Sequence, residues 1–199
     1  MDSGLLIAFI PTFAAVLALP GPNAAFAVGQ SLKYGIRKSF AVAAGFMLAT
    51  GAHAVIVLSG LGLLIESYTG VLEIIKWCGV AYLVYLAKKL FFSKQGVVVV
   101  ASQAMTTRKM MLSAMLVSLT NPKALLASLM IYPLFMAKSE GYVLQAVALV
   151  VIAMFVSFVI YAAYIVTASK LGRQLNRGEW ASKTVAGFYL GAAGLLASK

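Results

Sequence analysis

Between Glu140 and Lys170 the chain runs for 29 residues without a charged side chain, through GYVLQAVALVVIAMFVSFVIYAAYIVTAS. A helix rises about 1.5 Å per residue and the hydrocarbon of a bilayer is about 30 Å thick, so this stretch is long enough to span a membrane. A chain carrying such a run is built for lipid. The remainder agrees, with 62% of 199 residues hydrophobic, 11% charged and a mean hydropathy of +0.97, against about a quarter charged in a soluble domain. The alternating ten-residue segments of a β-barrel are absent from the sequence. The fold class predicted is therefore an all-α integral membrane protein.

Gaps between charged residues define six spans, at about 5–28, 41–65, 71–91, 110–136, 142–168 and 182–197. The opening run is kept as the first span because no basic region precedes it, its one early charge being Asp2. The net charge of +11 is unevenly placed: Lys33, Arg37, Lys38, Lys88, Lys89, Lys94, Arg108, Lys109, Lys170, Arg173, Arg177 and Lys183 fall in or beside loops one, three and five. Only Lys76, Lys138 and Lys199 fall on the other side. By the positive-inside rule, loops one, three and five are cytoplasmic and both termini are outside. Topology thus accounts for the basicity, and no nucleic-acid partner is needed. The single cysteine, Cys78, has no intrachain partner for a disulfide and reads as a small core residue.

Two spans are interrupted. PGPN (Pro20, Gly21, Pro22, Asn23) breaks the first and NPK (Asn121, Pro122, Lys123) breaks the fourth, with Asn23 and Asn121 98 residues apart. GVAYL at 79–83 in the third span is echoed by GFYL at 187–190 in the sixth. These correspondences divide one transporter domain, 1–199, into a first half of about 1–92, a cytoplasmic linker of about 93–109 and a second half of about 110–199. An odd number of spans per half makes the halves inverted, so the expected architecture is six helices in two inverted three-helix halves with the first and fourth broken. Breaks at matching places in inverted halves point to a transporter's binding site.

A proline within a helix removes a backbone hydrogen bond and clashes with the preceding turn, at a cost of about 3 kcal/mol, and hydrocarbon offers no water to repair it. At a first helical position the missing N–H costs nothing, so Asn121 or Gly21 as cap with Pro122 or Pro22 next reads as a helix restarting inside the membrane. Each restart turns free N–H groups and a positive dipole end toward any carboxylate or phosphate nearby. Asn121 lies 12 residues beyond Lys109, about 18 Å along a helix and near mid-membrane. Lys123 sits on the first turn of the restart. A lysine at that depth is a functional hypothesis with a ligand carboxylate as partner; the alternatives are a water-filled vestibule or pairing with backbone carbonyls.

His53, the only histidine, lies inside the second span and is a candidate proton carrier, with an interhelical hydrogen bond as the plain alternative. Ala41, Gly45, Ala49 and Ala52 around it, like Gly187 and Gly191, are close-packing positions. Tyr82 and Tyr85 are candidates for lining a substrate path, although core or interface tyrosines are the commoner case.

Taken together, PGPN, a glycine-rich span with a histidine, EIIKWCGVAYLVYLAKKL and LTNPKALLASLMIYPLF resemble the LysE/RhtB family of amino-acid exporters over nearly the whole chain. The resemblance implies a bacterial inner-membrane exporter of six helices that expels amino acids or close derivatives, by exchange against protons. It assigns Pro20, Gly21, Pro22 and Asn23 to the first broken helix, Asn121, Pro122 and Lys123 to the second, and His53 to a position where the family often has a histidine. Two departures stand out. The family often has an acid in the fifth span near Met154, where this chain has none, and its FPQF-like end of the fourth span is YPLF at 132–135.

The only carboxylates, Asp2, Glu66, Glu73, Glu140 and Glu179, fall at span ends or in loops. A membrane-embedded metal or a basic substrate side chain would lack ligands or a counter-ion. The expected substrate is a small neutral amino acid or derivative, its carboxylate on the half-helix ends and Lys123, its ammonium on freed carbonyls or on Asn23 and Asn121. Export of a cation, another organic ion or basic amino acids is the alternative. No enzyme constellation is visible, His53 having no acidic partner in any span, so the chain reads as a transporter with no cofactor and no metal. Lipid surrounds it, protons are the expected coupling ion, and the sequence leaves a homo-oligomer open.

Overall fold

The computed structural model describes residues 3–19, 21–60, 105–136 and 141–174, together with single helical positions at 70, 74, 77, 80, 81, 84, 85, 87, 88, 187, 190, 191 and 194. Among the described residues the chain is all-helical, with five continuous helices: α1 (Ser3–Ala18), α2 (Pro22–Leu58), α3 (Thr107–Leu119), α4 (Pro122–Leu134) and α5 (Tyr142–Gln174). Much of the expected third and sixth spans, Cys78 and all five acidic residues lie outside the described residues.

Among the described residues, two helices are long and apolar enough to cross a membrane, α2 and residues 142–170 of α5, and a third crossing is made if α3 and α4, bent by 69° at their junction, are one broken span. α1 is shorter. α2 is not straight: Gly35 takes φ 77°, ψ 170°, a conformation that only glycine adopts readily. It separates residues 22–34, which continue from α1 across the PGPN break, from residues 36–58, the body of the expected second span. The sequence placed a loop here around Lys33, Arg37 and Lys38. The structure instead turns the chain at one residue, so helix continues on both sides of the basic cluster.

The packing is held by α2, which contacts α5, α3 and α4, while α1 lies against α5. α2 and α3 approach closely because Gly45 has no side chain; a Cβ there would run into the Met111 carbonyl oxygen. The apolar interior forms two clusters. One gathers Phe26, Val42, Phe46, Met110, Val117, Tyr161 and Ile165. The other gathers Phe9, Phe13, Ala54, Ile131, Tyr132 and Leu149, with Phe9 stacked on Phe13 at 5.0 Å between ring centroids and edge-on to Phe135 at 5.4 Å. Buried polar residues are also present, among them Asn23, Thr50, His53, Ser118, Asn121 and Ser157. In a lipid-embedded interior such groups need partners, and those partners define the site.

Candidate functional site

Helix α1 ends at Ala18 and α2 begins at Pro22; α3 ends at Leu119 and α4 begins at Pro122. The two interruptions meet. Asn121 donates from Nδ2 to Asn23 Oδ1 at 3.0 Å, and Asn23 donates from its own Nδ2 to Ser118 Oγ at 3.1 Å. Asn121 Oδ1 accepts from the Lys123 backbone N–H at 3.1 Å. One chain of side-chain amides therefore runs from the start of α4 to the start of α2 and back to the end of α3. Asn23, Asn121 and Ser118 are all 6% exposed or less, and a buried amide with both its ends engaged avoids the cost of an unmade hydrogen bond.

The carbonyls released at the end of α1 are also taken up. Tyr164, on α5, donates to Ala18 O at 2.7 Å, and Lys123 Nζ donates to Leu19 O at 3.4 Å. An ammonium at a helix C-terminus sits against the negative end of the dipole. The Lys123 side chain crosses to the opposite break and passes over Gly21, where a Cβ would lie 3.5 Å from its Nζ.

The two restarts differ. At α4 the first-turn N–H groups are satisfied locally: Lys123 by Asn121 Oδ1, and Ala124 and Leu125 by the Asn121 carbonyl at 3.0 and 3.2 Å. At α2 the cap is Gly21, which has no side-chain cap bond. Ala25 reaches the Gly21 carbonyl at 2.9 Å, whereas the N–H groups of Asn23 and Ala24 have no acceptor among the described residues. Of the two helix starts proposed from the sequence as anion sites, α2 is the one with donors to give.

A cavity of about 40 Å³ opens beside these groups. Gly21, Asn23, Asn121 and Lys123 line its polar side, with Ser118, Thr50 and Tyr161; Phe13, Val16 and Leu17 of α1 form an apolar wall. His53 lines it too, only 3% exposed, and its Nε2 has no hydrogen-bond partner. Thr50, one turn earlier on α2, donates to Ser157 Oγ of α5 at 2.9 Å. Met154, at the place where the family resemblance implies an acid, packs its sulfur against Gly51, 2.8 Å from where a Cβ would stand. A thioether there fills space and supplies no charge.

The sequence-predicted residues thus divide. Gly21, Asn23, Asn121, Lys123 and His53 converge on one cavity. Pro22 and Pro122 stand at first helical positions, as expected for restarts. Tyr85, 57% exposed, is not among the cavity residues; Pro20 and Tyr82 lie outside the described residues. Sequence reasoning missed Ser118, Thr50, Ser157, Tyr161 and Tyr164. Thr50 stands three residues before His53 on the same face of α2, and Ser118 stands in the last turn of α3, three residues before Asn121; that spacing was the available signal.

Residues 14–198 match the family described as LysE type translocator. The chain belongs to the LysE type translocator family. Among relatives of this translocator is an uncharacterised membrane protein of Vibrio cholerae, 25% identical over all of this chain and 98% of the other. The homoserine/homoserine lactone efflux protein of Salmonella typhimurium is 27% identical over 82% of this chain and 80% of its own length. The leucine efflux protein of Enterobacter sp. is 25% identical over 76% of each. No solved structure matches the translocator.

Proposed function

We propose that this translocator is a secondary transporter of the bacterial inner membrane that exports a small neutral amino acid or derivative in exchange for protons. The observation that carries the proposal is the joining of the two interrupted helices, Asn121 to Asn23 at 3.0 Å, beside a cavity that Lys123 also lines. The substrate carboxylate is held by the free N–H groups at the start of α2 and by the Lys123 ammonium, a pairing favoured by the positive end of a helix dipole. Family membership and the efflux relatives support export. The sequence places its five carboxylates at span ends or in loops, which supports a neutral substrate over a cation or a basic amino acid, which would need a buried counter-ion.

At about 40 Å³ the cavity has room for a water or two, so an amino acid is admitted only when its walls part. Six helices in two inverted halves, joined by a linker at about 93–109 with both termini outside, supply a geometry for that motion, one half rocking against the other around a fixed site. The test is counterflow in proteoliposomes loaded with a panel of amino acids, the parental protein beside Lys123→Ala. Accumulation of a neutral amino acid that is lost in the variant is expected. Movement of a cation or another metabolite, with no amino acid moving, would overturn the substrate assignment.

A further inference from the structure

An amino acid brings an ammonium as well as a carboxylate, and the ammonium needs an acceptor. Four of the acceptors beside the breaks are already engaged here. The Ala18 carbonyl holds the Tyr164 hydroxyl, the Leu19 carbonyl holds the Lys123 ammonium, and the side-chain oxygens of Asn23 and Asn121 each hold a donor. Two carbonyls facing donors of this strength, one of them a cation, are poor places for a second cation. Within the same cavity His53 is 97% buried and its Nε2 is unpaired. A buried polar atom left without a partner costs free energy, and a ligand group that fills it recovers that cost.

We propose that His53 Nε2 is the acceptor for the substrate ammonium, and that a proton and the substrate compete for its one lone pair. The inference rests on the amino-acid reading above. Neutral imidazole accepts one hydrogen bond at its unprotonated nitrogen; imidazolium accepts none and repels a cation. When a proton from one side of the membrane binds Nε2, the ammonium loses its acceptor and leaves; when the proton leaves, the site is open to the next substrate. One proton enters for each amino acid expelled. Coupling then follows from mutual exclusion at a single atom, with no acid required in the fifth span, where this chain has Met154. Among the described residues, the other titratable groups lining the cavity are Lys123 on α4 and Tyr161 on α5; the described linings from α1 and α3 contribute no titratable side chain.

The test is equilibrium binding of a transported neutral amino acid to the purified protein between about pH 3.5 and 8.5, for the parent, His53→Gln and His53→Ala. Competition predicts that parental affinity falls as pH drops, approaching about tenfold per pH unit once the imidazole titrates, because proton and ligand affinities are reciprocally linked. In His53→Gln the amide oxygen still accepts from the ammonium but does not titrate, so binding is weaker and flat with pH. His53→Ala binds at least tenfold more weakly than the parent. A desamino carboxylic acid, needing no variant, binds the parental protein at least tenfold more weakly than the amino acid at neutral pH, where both carry a carboxylate. An unchanged slope in His53→Gln, or a desamino acid that binds as tightly as the amino acid, would overturn the inference and leave the transport reading standing. Failure of the parent to bind any amino acid would overturn both.

Discussion

The two breaks are alike in sequence and unlike in structure. Each places a proline at the first position of a restarted helix and an asparagine nearby. At the second break, however, the asparagine precedes the proline and becomes the cap, turning Oδ1 onto Lys123 N–H. At the first break the asparagine follows the proline, so the cap falls to Gly21, which has no side chain to offer. The order of two residues decides which helix start keeps its donors. NP makes a self-satisfied pivot, and GPN makes a start whose Asn23 and Ala24 N–H groups meet no acceptor among the described residues, with an asparagine aimed across at the other break. Matching positions in a repeat do not carry equal roles.

That contrast can be broken most severely at Asn121. Asn121→Ala removes the cap of α4 and the bond to Asn23 together, and leaves Asn23 Oδ1 without its donor. Loss of a cap costs about 1 kcal/mol and an interhelical hydrogen bond in a membrane about 0.6–2 kcal/mol. Exchange measured per folded molecule is expected to fall about a hundredfold, as the two helix starts lose their fixed spacing. The second substitution sharpens the comparison by making the first break resemble the second. Gly21→Ser supplies a hydroxyl able to accept from the N–H of Asn23 or Ala24, and the 3.5 Å left to Lys123 Nζ admits a Cβ at ordinary contact distance. Detergent stability should change by only a few tenths of a kcal/mol, while transport drops about tenfold because the new cap competes with the substrate carboxylate. The smallest effect is expected from Tyr164→Phe, which frees the Ala18 carbonyl without touching either helix start. A cost of about 1 kcal/mol in thermal unfolding, with exchange reduced a few fold, would place Tyr164 as a support for the end of α1.

Much of this candidate site was legible in the sequence, because prolines and asparagines inside apolar runs have few uses and a lysine inside one has fewer. Gly21, Asn23, Asn121 and Lys123 were singled out that way and His53 as the one histidine, and the structure brings these five to one cavity. The small hydroxyl residues were not, since Ser118, Thr50 and Ser157 are common in membrane helices and gain meaning only when the partner helix is known. The same holds for Tyr161 and Tyr164, one helix turn of α5 that neither charge nor proline marks. The turn between the first two spans was misjudged in length, because a single glycine with positive φ replaces a loop and composition does not distinguish the two. The difference between the breaks was also beyond reach: both were read as exposing N–H groups, and only the hydrogen bonds show that Asn121 satisfies its own helix.

The central claim is that the start of α2 holds a carboxylate, and it is tested most directly by competition in counterflow between a transported amino acid and its carboxamide. Near pH 6, below the α-amino pKa of about 7.7–8.0 beside an amide, the carboxamide keeps size, ammonium and side chain and removes only the negative charge. The account predicts that it competes at least tenfold more weakly than the amino acid against the parental protein, and that this preference shrinks in Gly21→Ser. Equal competition by acid and amide in the parental protein would contradict it.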